Sequence, residues 1–286
     1  MSSRLEKRSS GLTPYATARR RPLAGFLRSP LEHRQLIFRL IQREIVGRYR
    51  GSFAGLAWSF ITPLIMLVLY TFVFSIVFKA KWKDFDTSGG FALILFSGLI
   101  VHGVVAECIN RSPALITSNA NYVKKVVFPL EVYAWVTLGS AVFHAFVSWI
   151  VLTIAQLCMG VALPWTVILF PVVMLPLLLG CLGVSWFLAA IGVYFRDVAQ
   201  ITGTLATLLL FLSPVFYALD SIPERYRPLI QANPLTGVLE AARKVLMFGD
   251  IPSPAYFGIG LLVGLLMAMA GYAFFQKSRD GFADVI

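Results

Sequence analysis

Gln200, Thr204, Thr207 and Phe211 stand four, three and four residues apart. On a helix that spacing puts all four on one face, with Pro214 beyond them. An amide, two hydroxyls and a ring in line can bond the hydroxyls of a sugar and stack on its C–H face. A sliding polymer needs contacts of that kind, weak and repeated. A second line lies upstream. Phe53, Phe60, Tyr70, Phe74 and Phe78 fall within about 100° of helical arc, with Trp58 and Phe72 opposite. The plain alternative for either line is helix packing.

Catalytic patterns are missing. No G-x-S-x-G or H-E-x-x-H motif occurs, and His33, His102 and His144 form no metal-ligand spacing. Two of those histidines, His102 and His144, lie in apolar stretches. Isolated histidines there more often bond a neighbouring helix than carry a function. Cys108, Cys158 and Cys181 also lie in apolar stretches, odd in number, and read as small packing residues. G-x-x-x-x-G-K-[ST] is absent, and no Gly-Lys dipeptide occurs. Any ATP-driven process must keep its nucleotide site on another chain.

The elements that would position the two lines are long and apolar. Six such stretches run through 53–78, 91–109, 132–163, 167–195, 198–219 and 255–275. A helix crosses a bilayer with about 20 apolar residues, and inside hydrocarbon only a helix satisfies its own backbone. Hydrophobic residues make up 58% of the 286-residue chain and charged ones 14%, far from the soluble norm. The expected fold is an all-α membrane protein of six transmembrane helices. Both lines then sit in lipid-embedded segments, and the polar line at 200–211 must avoid lipid. The net charge of +11 is not a nucleic-acid footprint, because 12 of the 25 Lys and Arg precede residue 51. With both termini in the cytoplasm, 18 basic residues fall inside and 7 outside. About 50 polar residues before the first apolar run argue against a secretory signal, and no internal repeat is visible.

The connecting segments divide into three kinds. Residues 1–30 read as a basic cytoplasmic tail. From 31 to 50, Ile37, Phe38, Ile41, Ile45 and Tyr49 share one side, with Arg39, Arg43 and Arg50 on the other. That pattern predicts an amphipathic helix in the membrane interface, with Arg34 and Arg48 snorkelling from its apolar edge. Glu107 and Arg111, four apart, can pair. The polar segment 112–130 predicts a short cytoplasmic helix with a Pro129 exit. Residues 220–253 mix prolines with apolar pairs and predict short re-entrant helices outside. A partner has three inner surfaces available: the basic helix, the 112–130 segment and the Arg196 turn.

Four motifs in this order resemble the ABC-2 type permeases of polysaccharide exporters, the O-antigen and capsule class. They are Arg43-Glu44-Ile45-Val46-Gly47-Arg48-Tyr49-Arg50-Gly51-Ser52 with Leu56-Ala57-Trp58 and Pro63; Asn121-Tyr122-Val123-Lys124-Lys125-Val126-Val127-Phe128-Pro129; Tyr194-Phe195-Arg196-Asp197-Val198 with Ser213-Pro214-Val215-Phe216-Tyr217 and Asn233-Pro234-Leu235; and Phe282-Ala283-Asp284. The likeness covers about residues 35–286, a single transmembrane domain placed at 31–286. It implies a homodimer with two ABC ATPase subunits beneath, which bind ATP and Mg, this chain holding no cofactor. It implies export of a lipid-linked glycan on undecaprenyl pyrophosphate across the bacterial inner membrane. A coupling segment at 113–125 is implied, with Ser118, Asn119, Asn121, Tyr122 and Lys124, and Arg39 and Arg43 of the interfacial helix, as ATPase contacts. The rival cargoes are teichoic acid, a lipid or a drug, the last calling for a compact apolar pocket. An ion-coupled carrier is a further rival, with Glu107 as its one buried carboxylate.

Overall fold

The computed structural model describes residues 22–82, 89–125 and 128–286. It is built from helices: α1 Pro22–Glu32, α2 Arg34–Tyr49, α3 Trp58–Tyr70, α4 Gly90–Arg111, α5 Ala120–Lys125, α6 Val132–Cys158, α7 Phe170–Val173, α8 Leu175–Tyr194, α9 Val198–Leu212, α10 Arg227–Gln231, α11 Pro234–Arg243, α12 Pro254–Ser278 and α13 Phe282–Val285. Among the described residues, five stretches are long and apolar enough to cross a membrane: Gly55–Val77, Gly90–Ala114, Val132–Cys158, Trp165–Tyr194 and Pro254–Val285.

The fifth expected span is shorter than its apolar run. α9 ends at Leu212, where Ser213 turns extended (φ −104°, ψ 148°). The cause is Pro214, whose ring excludes the helical conformation from the residue before it. At 1.5 Å per residue the 15 helical residues of α9 cover only about 22 Å. The N-terminal boundary also moves. Residues 22–30, expected in the tail, form most of α1. Phe26 anchors this helix, 2% exposed and edge-on to Trp186 and Tyr272. Residues 1–21 of the expected tail lie outside the described residues.

α4 is the central post, buried along most of its length and packed by α6, α8, α9 and α11. The tightest pair is α8 with α12. A β-carbon on Gly271 would lie 2.0 Å from the Gly183 carbonyl oxygen, and one on Gly183 would lie 2.2 Å from that of Met267. Without a hydrophobic force between helices in lipid, such backbone contact and its dispersion energy hold the pair. Gly271→Ala is therefore expected to cost about 1–3 kcal/mol by overpacking. A falling thermal midpoint in detergent checks this. Gly180→Ala serves as control, since its β-carbon would meet only the flexible end of the Met267 side chain, sulfur at 3.7 Å and methyl at 3.9 Å.

α3 is the opposite case. Almost none of the first span is buried, and its helix relaxes into wider π turns at Thr71–Val77. The 220–253 region forms the expected short helices α10 and α11, then π turns at Lys244–Phe248. The buried Thr166 and Gln156 donate to the carbonyls of Val245 and Leu246 at 2.7 and 2.9 Å. This supplies partners to irregular backbone that would be costly if bare.

Candidate functional site: a polar-aromatic face and a charged hub

Gln200, Thr204, Thr207 and Phe211 all stand exposed on α9. The Thr207 hydroxyl turns back to the Gly203 carbonyl at 3.0 Å, so its lone pairs still face outward. Tyr70, Phe74 and Phe78 remain in ring contact down the first span, at 6.4 and 5.8 Å. Phe60 has no ring partner among the described residues, and Phe53 lies before the helix, fully exposed. Those two make no ring contact with the line among the described residues.

The two lines meet through a residue the helical spacing missed. Phe216 stacks on Phe211 at 5.6 Å and approaches Phe74 at 6.4 Å. Phe74 also stacks on Phe91 at 5.4 Å, and Phe91 touches Trp82 at 5.8 Å. Over Trp82, at 4.8 Å, sits the guanidinium of Arg243. Arg243 is buried, so desolvation pulls its pKa down, and Glu240 beside it opposes the shift. It donates to the Val215 carbonyl at 2.7 Å. Phe216 belongs to the Ser213-Pro214 motif, and that motif was the one signal that could have found it.

This turn is clamped by the Asn233-Pro234 motif. Asn233 caps α11 by accepting from the Leu235 N–H at 3.0 Å, and Pro234 takes the first helical position. The Asn233 side-chain N–H then donates to Ser213 Oγ at 2.9 Å.

At the other end of the bundle, charge is concentrated. Glu107 of α4 accepts from Arg111 at 3.0 Å, as its spacing predicts. It also accepts from Arg48 at 2.9 Å, and from Nδ1–H of His144 at 2.9 Å. That tautomer leaves His144 Nε2 to accept from the Tyr49 hydroxyl at 3.2 Å. Arg111 pairs in turn with Glu44 of α2. Arg48 thus reaches Glu107 while its side chain stays 41% exposed. His102 bonds a neighbouring helix, donating to the Ala206 carbonyl of α9 at 3.0 Å. Both intramembrane histidines are interhelical ties.

The remaining motifs converge nearby. Arg279 donates to Glu131 at 3.1 Å and to the Phe128 carbonyl at 2.9 Å, holding the Phe128-Pro129 exit. Tyr194 donates to the Ser278 carbonyl at 2.9 Å and packs on the buried Phe282. Between α2 and the 112–119 turns lies a cleft of about 510 Å³ whose wall includes Arg43, Ser118 and Asn119. Arg39 is exposed on α2, and Asn121 and Tyr122 are exposed on α5. The Lys124 side chain lies outside the described residues.

Residues 35–247 match the profile of a family described as ABC-2 type transporter. The chain belongs to the ABC-2 type transporter family. It is thus a multi-pass membrane protein. This ABC-2 chain is 28% identical over 262 residues to the O-antigen export system permease protein RfbA of Myxococcus xanthus, covering 91% of this chain and 98% of that one. It is 26% identical to the protein of the same name from Klebsiella pneumoniae, over 88% of this chain and 95% of the relative. It is 27% identical to the polysialic acid transport protein KpsM of Escherichia coli, over 82% and 90%. The ABC-2 chain also carries an apolar cavity of about 650 Å³ between α8, α9, α11 and α12, with Pro176, Leu177, Leu209 and Tyr256 in its wall.

Proposed function

We propose that this chain is the permease subunit of an ATP-driven exporter of a lipid-linked polysaccharide in the bacterial inner membrane. The observation that carries this reading is the exposed polar face of α9, joined by Phe211 and Phe216 to the aromatic cluster of the first span. Gln200, Thr204 and Thr207 cannot face lipid cheaply. A wet conduit lined by a second copy of this chain removes that cost, and the nearly bare first span offers further surface for the copy. The relatives' names, O-antigen export and polysialic acid transport, agree in cargo class. α9, extended by residues 213–219, completes a six-span path with both ends inside, and α2 lies in the inner interface.

Hydrolysis belongs to two copies of an ABC ATPase, which bind ATP and Mg and dock at the charged end. Asn121, Tyr122, Ser118, Asn119 and Lys124 of the 113–125 segment face it, with Arg39 and Arg43.

Thr204→Leu with Thr207→Leu tests the conduit without touching the core, because both side chains are exposed. Two lost hydrogen bonds at about 0.5–1.5 kcal/mol each predict surface polymer reduced about tenfold at unchanged permease level. Normal polymer export in this variant would remove the assigned path. The apolar cavity supports one rival cargo, a drug or free lipid. Filling it by Leu209→Trp separates the two, since a glycan conduit leaves polymer export intact while an apolar cargo path closes.

A further inference from the structure

The apolar cavity of about 650 Å³ is a slot whose chemistry suits hydrocarbon. Among the described residues that line it there is no Lys, Arg, His, Asp or Glu. Water gains little there, because a buried water needs about two to four polar partners. A void of this size would forfeit the dispersion contacts that packed lining atoms make. Gly180 of α8 and Gly260 of α12 help to open it, since neither fills it with a side chain.

The slot has one open side. α9 packs on α4, and α12 packs on α8. Along the gap between α9 and α12 the lining residues Leu205, Ile259 and Val263 are exposed to the surroundings of the bundle. Its amides and its phenol, Gln231, Asn233 and Tyr256, gather at one end, where α11 and α12 begin. Val105 and Ile109 of α4, both buried, close the other end. Along α12 the wall extends from Tyr256 to Met267, about 16 Å at 1.5 Å per residue and roughly half of the ~30 Å hydrocarbon core.

That depth is one leaflet, blind at the far end and polar at the near one. A polyprenyl carrier is far longer than one leaflet, and its pyrophosphate would meet no cation in this wall. A second copy of the chain would bring a convex helix surface, which covers the opening and leaves the depth unfilled. We propose that the slot holds one acyl chain of a bilayer phospholipid, with its ester and headgroup at the Gln231–Asn233 end. Gln231 is exposed there, and its amide can donate to an ester or phosphate oxygen. The bound chain supplies the packing between α9 and α12 that protein side chains do not.

The test places the full-length permease in vesicles of phosphatidylethanolamine and phosphatidylglycerol. A trace of the phosphatidylethanolamine carries a diazirine at the end of one acyl chain. Light should attach this probe to Met267 inside the slot, and also to Leu266, which is exposed outside it. Leu209→Trp and Val263→Trp fill the slot from two different helices, so either serves if the other fails to fold. Each should lower the Met267 adduct about tenfold and leave the Leu266 adduct unchanged. Mass spectra of the detergent-purified chain should show a retained phospholipid on the wild type and none on the filled variants. Equal Met267 labelling in the wild type and both variants would overturn the site, because the probe would then report ordinary contact with the bilayer. Leu266 adducts without Met267 adducts would show that no chain enters. A photoactivatable polyprenyl phosphate that displaces the phosphatidylethanolamine adduct would give the slot to the carrier lipid. A benzophenone side chain in place of Ile259 that captures a second permease chain would give it to the dimer. Polymer export is not read here, so the polysaccharide reading stands or fails separately.

Discussion

Glu107→Ala is expected to destabilise the folded permease by about 2–4 kcal/mol and to reduce its accumulation in the membrane severalfold. The carboxylate is the common acceptor for Arg48, Arg111 and His144, which arrive from three different helices. Its removal strands the Arg48 guanidinium beside an apolar bundle and leaves Arg111 only Glu44. Losing one partner of a fully buried pair costs about 3–5 kcal/mol. The figure here is lower because the Arg48 and Arg111 side chains are 41% and 29% exposed, and water can reach them. Glu107→Gln separates charge from shape: it keeps the volume and should lose most of the same stability. Adding Arg48→Gln to Glu107→Gln should then cost less than the sum of the two singles, since the stranded cation is gone. Thermal unfolding in detergent reads Glu107→Ala, the two Gln singles and their double. Additive losses would mean that the cluster is a set of independent surface pairs and does not lock α2 to α4 and α6.

That cluster also marks the boundary of what the linear chain discloses. Glu107 and Arg111 are visible because four residues make one helical turn. Arg48 and His144 come from 59 residues before and 37 after, and no local period announces them. The same contrast runs through the fold. Hydropathy places five long helices, four of them within about five residues of their ends, since the need for about 20 apolar residues is local; the last span runs on to Val285, ten residues past the expected end. Hydropathy overruns α9, because residues 215–219 stay apolar after Pro214 has already ended the helix. It is silent on α1, where basic residues surround a buried Phe26. The spacing along α9 shows which residues share a face. That the face meets Phe74 through Phe216 depends on how the Ser213-Pro214 turn folds back, and the turn is held by Asn233 from 20 residues downstream.

Gly192→Leu should abolish most export while leaving ATP hydrolysis running. A β-carbon at Gly192 would lie 2.1 Å from the Pro113 carbonyl oxygen and 2.7 Å from its carbonyl carbon. No rotamer relieves a clash with backbone, so the Ser112–Ala114 turn must move off α8. Ser112 is wholly buried there, and its hydroxyl is bonded to the Cys108 carbonyl. The turn cannot move alone, and it carries the following residues through α5 with it. If Asn121 and Tyr122 transmit force from the ATPase, their displacement breaks the lever while each end remains intact. Export per hydrolysed ATP is then expected to fall by about tenfold or more, the order expected when misplaced groups no longer engage. Gly192→Ala should give an intermediate loss, and deletion of residues 116–121 should match Gly192→Leu. Overpacking itself costs about 1–3 kcal/mol, so export must be normalised to the amount of intact complex recovered. The ratio of polymer exported to ATP consumed in reconstituted vesicles makes the decision. An unchanged ratio in Gly192→Leu would show that force enters the spans by another route, leaving α2 and its tie to Glu107 as the remaining path.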